Sequence, residues 1–127
     1  MTNHVHLIVG KEGEDDIEDI IQDMKRFTSV HICKAIESNS TESRREWMLE
    51  LFKRAASESG KHTKYMFWQN CYHPVELSTN LLSTQRLDYI HNNPVVAGIV
   101  DKAEEYLYSS ARDYFGTGKG LLGILFI

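Results

Sequence analysis

The chain opens on a short alternation. In His4-Val5-His6-Leu7-Ile8-Val9, the residues Val5, Leu7 and Val9 alternate with His4, His6 and Ile8. A period of two sets these groups on opposite faces of a strand over residues 4–9. Gly10 and Gly13 then predict a loop. From residue 16 the period lengthens. Ile17, Ile20, Ile21, Met24, Phe27, Ile32, Ala35 and Ile36 form one stripe of a helix over 16–37. Asp15 or Asp16 can cap its start, and Ser38-Asn39-Ser40 reads as a break. A second helix is expected over 44–58, opened by a Ser43/Glu46 capping box and stopped by Gly60; Trp47, Met48, Leu51, Phe52 and Ala55 make its apolar stripe. Tyr65 to Gln69 reads as a short aromatic strand, and Pro74 keeps the stretch from Tyr72 to Leu77 extended. Ser78 or Thr79 caps a third helix over 80–92, which Asn93-Pro94 is expected to end. Gly98 marks a turn, a short helix spans Ser109 to Tyr114, and the apolar tail Leu121 to Ile127 suits a closing strand. The sum is an α+β domain with few strands and no internal repeat.

Composition narrows this only slightly. A chain of 127 residues, 42% hydrophobic and 25% charged, predicts one globular domain over 1–127 with one modest core. No apolar run nears the roughly 20 residues that cross a bilayer. The first residues, Met-Thr-Asn-His-Val-His, lack the marks of a signal peptide, so a cytoplasmic location is expected. Cys33 and Cys71 lie far apart and outside any C-x-x-C pattern, which predicts reduced, partly buried thiols. The net charge of -4 and pI near 5.8 argue against coating duplex DNA by bulk electrostatics. Local basic clusters remain: Lys25 with Arg26, and a looser group of Arg44, Arg45, Lys53, Arg54, Lys61 and Lys64.

Two constellations carry chemistry. His4 and His6, at i and i+2 of a strand, share a face about 6.5–7 Å apart along the chain. Two imidazoles so placed can converge on one divalent metal; the alternative is a pair of surface histidines. Tyr89 and Asn93 stand at i and i+4 of the third helix and share a face. A phenol can act as a nucleophile once activated, and an amide oxygen can ligate a metal or meet a phosphate. The alternative is amphipathic packing by Tyr89 and a helix stop at Asn93. His91 points elsewhere and reads as solvated or DNA-facing. The basic residues suit phosphate contacts, and Trp68, Phe67 and Tyr65 can either stack on unpaired bases or pack in a core.

Four segments carry a resemblance. Met1-Thr2-Asn3-His4-Val5-His6-Leu7 is similar to an M-x-N-H-V-H-L motif, and Tyr89-Ile90-His91-Asn92-Asn93-Pro94-Val95-Val96-Ala97-Gly98-Ile99-Val100 to a Y-I-x-x-N-P-V-x-A-G-L-V block. Phe67-Trp68-Gln69 matches an F-W-Q element, and Tyr106-Leu107-Tyr108-Ser109-Ser110 a Y-x-x-S-S segment. In order and spacing, over residues 1 to about 116, they resemble the HUH single-tyrosine transposases, the REP-associated and insertion-sequence enzymes of mobile elements. The resemblance implies a ferredoxin-like (RRM-like) α+β fold and metal-dependent cutting and rejoining of single-stranded DNA. It implies His4, His6 and Asn93 as ligands of Mg2+ or Mn2+, and Tyr89 as the nucleophile that takes up the 5′ phosphate. It implies a homodimer acting on DNA hairpins. The expected DNA contacts are Lys25, Arg26, Arg44, Arg45 and Trp68.

The family domain places a strand, a helix and a connection before its H-x-H strand. Here H-x-H begins at residue 4, so the expectation is a ferredoxin-like domain lacking its N-terminal part. Two other readings stand beside a transposase: an inactive remnant that binds hairpins, and an unrelated metal-dependent hydrolase using His4 and His6.

Overall fold

The computed structural model of the chain describes residues 3–60, 64–69 and 74–127. Lys61, Cys71, Tyr72 and His73, which figure in the expectations above, lie outside them. Among the described residues there are four α-helices: α1 (Ile17–Ser38), α2 (Arg45–Ser59), α3 (Asn80–Val96) and α4 (Ala111–Tyr114), with a 3-10 turn at Ala103–Glu105 between the last two. The residues group into two compact units: Val9–His73 forms one, and Met1–Ile8 with Pro74–Ile127 forms the other.

The Val9–His73 unit is an α1–α2 hairpin with the segment 64–69 laid along it. Small buried side chains, Cys33 on α1 and Ala56 on α2, form its centre. Phe67 meets Phe52 at 5.3 Å and Trp68 at 5.2 Å between ring centres, both edge to face. The Trp68 indole N–H donates to Thr28 Oγ1 over 3.0 Å, and Tyr65 Oη donates to Glu37 Oε1 over 2.8 Å. α2 ends at Gly60 as its sequence predicts. With φ 64 this residue adopts the left-handed conformation, and its N–H closes on Ala56 O. The Ser43/Glu46 capping box does not form; Arg44 is the N-cap and no side chain caps it.

The second unit is organised by α3. Thr79 caps it as expected, accepting from Leu82 N–H over 3.2 Å. The helix does not stop at Asn93-Pro94 but runs on to Val96. Pro94 is buried, and its carbonyl accepts from Ile99 N–H at 2.9 Å while Gly98 N–H closes on Val95 O at 2.9 Å. Packing and these returning bonds therefore offset the preference of a pre-proline residue for extended backbone. Ala111 of α4 is fully buried beneath the 3-10 turn, and Arg112 Nε donates to Glu104 O over 3.4 Å.

The ferredoxin-like α+β expectation is corrected: the structure is helical and has no strand among the described residues. The reason is pairing. A strand needs a ladder, and alternation selects faces without supplying a neighbour. Residues 4–10 have no regular secondary structure and make no backbone hydrogen bond to another segment among the described residues. Met66 N–H donates to Phe52 O of α2 rather than to a strand, over 3.0 Å. The tail meant to close a sheet is tied to α4: Ile127 N–H donates to Tyr114 Oη over 3.0 Å, and Phe126 lies 4.9 Å from the Tyr114 ring.

Burial is correspondingly thin. Val5, Leu7 and Val9, the face expected to anchor a strand in a core, are exposed, and no large side chain is fully buried among the described residues. The chain exposes 10139 Å². Two separate folded units of half its mass would together expose roughly 8,300 Å².

Candidate active site

Three of the residues singled out by the sequence meet in the second unit. The His4 and His6 rings lie edge to face with centres 4.9 Å apart, and the His6 ring meets the Tyr89 ring at 5.5 Å in the same manner. The irregular segment at residues 4–6 supplies the first pair. α3 supplies Tyr89, which is 53% exposed. The separation suits a shared ion. Two imidazoles bound side by side, with metal–nitrogen bonds of about 2.1 Å, have ring centres roughly 4.6–5.3 Å apart. Packing around the His6 ring and the adjacent His4 imidazole both push the His6 pKa below its ordinary value. The neutral form, which ligates metals, is thereby favoured.

Asn93 stays on the helical face of Tyr89 because α3 continues through it, and both line a hollow of about 480 Å³ with Gln85, Asn92 and Phe115. No hydrogen bond joins Asn93 to either imidazole. Among the described residues, no group of three or more His, Cys, Asp or Glu side chains could hold a metal. Neither His4 nor His6 lines the hollow that holds Asn93.

His91 departs from its expected place. It is only 6% exposed, not solvated, and its Nε2 lies 2.9 Å from Ser110 Oγ. Its ring meets Tyr114 at 5.2 Å, and burial holds its pKa below the ordinary value although Asp88 works in the opposite direction. His91 stands two residues, about 200° of helix turn, from Tyr89, yet it also lines the hollow that Tyr89 and Asn93 share. The His91–Ser110 contact ties α3 to the residue that precedes α4. No local pattern announces a pair 19 residues apart; both members do fall inside the motif blocks. A second contact missed by sequence reasoning is at Asn3, whose Oδ1 lies 2.7 Å from His4 Nδ1.

The residues expected to contact DNA all belong to the Val9–His73 unit, and each has a local partner. Lys25 Nζ donates to Gln69 O over 3.4 Å, and Arg26 pairs with Asp23 at 3.0 Å. Arg44 pairs with Glu42 at 3.0 Å, and Arg45 Nη1 donates to Glu37 O over 3.3 Å. Lys25, Arg26 and Trp68 line one groove along α1. Within it the Trp68 ring packs edge to face on Phe67 with its N–H engaged by Thr28, an arrangement that serves packing.

No helix among the described residues is long and apolar enough to cross a membrane. Comparison with known protein families, curated proteins and solved structures returns no match to this chain.

Proposed function

We propose that this protein is a DNA transposase of the HUH single-tyrosine kind, which cuts and rejoins single-stranded DNA. The observation that supports it is the run of rings from His4 through His6 to Tyr89, with centres 4.9 and 5.5 Å apart. It brings the second histidine of one motif, itself beside the first, against the tyrosine of another, more than 80 residues on. Amphipathic packing of Tyr89 does not require imidazoles at its edge.

In this reading His4 and His6, with Asn93 as the amide ligand, hold Mg2+ or Mn2+. When bound, such an ion supplies Lewis-acid polarisation of the scissile phosphate. Tyr89 Oη attacks the phosphorus in line. A bond from Tyr89 to the 5′ phosphate forms, the bond from phosphorus to the 3′ oxygen breaks, and that oxygen leaves as a 3′ hydroxyl with a proton. The phenol proton passes to solvent or to a neighbouring base. One phosphodiester is exchanged for another, so a 3′ hydroxyl can later reverse the step without ATP. Tyr89 is exposed, as a residue that meets a strand laid across α3 has to be. A hairpin substrate, a homodimer, and backbone contacts by Lys25, Arg26, Arg44 and Arg45 belong to the same proposal.

The test is a labelled single-stranded hairpin incubated with the protein and Mn2+ or Mg2+. The expected product is a protein–DNA adduct that survives denaturing electrophoresis and is lost in Tyr89→Phe and His6→Ala. Hairpin binding without any adduct would favour the inactive remnant. Metal-dependent hydrolysis that Tyr89→Phe leaves intact would favour the hydrolase.

A further inference from the structure

We infer that Asn3 is the positioning residue of the histidine pair: its side-chain carbonyl holds His4 in one tautomer and turns the opposite ring nitrogen toward a divalent cation. The inference rests on reading His4 and His6 as a ligand pair, and it assigns a role to a residue outside that pair.

The observation is the 2.7 Å contact between His4 Nδ1 and Asn3 Oδ1. A neutral imidazole carries one N–H and one lone pair. A carbonyl oxygen only accepts, so a bond of this length to Oδ1 requires the proton on Nδ1. The lone pair then sits on Nε2, the nitrogen on the far side of the ring from Asn3. Histidines that bind metals commonly give their second N–H to a carbonyl or carboxylate, which fixes the ring and raises the basicity of the ligating nitrogen.

His4 needs such a partner. It stands exposed on a segment that no ladder rigidifies among the described residues. His6 is held instead by ring contacts, with His4 on one side and Tyr89 on the other. Without the bond to Asn3, His4 would have to select its tautomer each time an ion bound; the bond makes that selection beforehand.

The opposite orientation of the amide makes the opposite prediction. If Asn3 Nδ2 donated to Nδ1, the ring proton would sit on Nε2 and block it. Nitrogen-15 spectra of the full chain, labelled at histidine, metal-free and above pH 7.5, separate the two cases. The expected result is His4 in the Nδ1–H form, reverting to a mixture in Asn3→Ala. A wild-type His4 in the Nε2–H form overturns the proposal before any metal is added.

Mn2+ titration followed by electron paramagnetic resonance supplies the second readout. Asn3→Ala should weaken Mn2+ binding roughly 10- to 100-fold. Asn3→Asp, which keeps an acceptor in place, should restore it. If affinity falls in His6→Ala but not in Asn3→Ala, the ligand pair stands and the role of Asn3 is lost. If affinity ignores both changes, the ligand pair itself fails, and the proposal with it.

Discussion

Ser110→Ala is a change that tests how α3 is held without touching Tyr89, His4 or His6. In the native unit Ser110 Oγ lies 2.9 Å from Nε2 of a histidine that is only 6% exposed. Removing the hydroxyl leaves a buried ring nitrogen with no partner. The cost of such an orphan is about 1–3 kcal/mol, or a roughly five- to 150-fold loss in the folding equilibrium. Replacing both members by groups without polar atoms should cost less, because no orphan remains. His91→Phe combined with Ser110→Ala should therefore lie closer to the wild type than the sum of the two single changes. The assay is urea denaturation followed by circular dichroism on the wild type, both single variants and the double variant, closed as a cycle. If Ser110→Ala shifts stability by less than about 0.5 kcal/mol, the level of an ordinary surface change, the argument that this contact pins α3 fails.

Three further outcomes follow from the same structure. The His91 pKa is lowered by burial from 6.5, so as pH falls through that value the unfolded chain binds the proton first. Stability should be full above about pH 6.5 and decline below it, and His91→Phe should flatten that part of a pH–stability curve measured by denaturation. Gly60→Ala should cost about 1–2 kcal/mol by thermal or urea melting, because φ 64 at the end of α2 strains any residue with a Cβ. Trp68→Phe should cost about 0.5–1.5 kcal/mol through the lost bond to Thr28 while leaving hairpin affinity unchanged in a gel-shift titration. Weakened affinity with unchanged stability would return Trp68 to a base-stacking role.

What the sequence determined by itself was local. The long apolar stripe and the break at Ser38-Asn39-Ser40 anticipate α1, observed over Ile17–Ser38. Gly60 and Thr79 act at the helix ends where they were expected, because the left-handed backbone and the hydroxyl cap are properties of single residues. The His4 and His6 rings lie beside each other although the strand predicted to align them does not form. Three features were settled only by tertiary structure. Alternation along residues 4–9 and the aromatic run at 65–69 predicted strands, but no strand neighbour pairs with either among the described residues, and the second is laid on helices instead. Asn93-Pro94 predicted a stop, but burial of Pro94 and the bonds returning from Gly98 and Ile99 carry α3 to Val96 and keep Asn93 on the face of Tyr89. His91 read as a surface residue because nothing in its neighbourhood names Ser110 as its partner. Periods and caps are written within a few residues of where they act; pairing and burial depend on segments far along the chain, and only the folded molecule brings those together.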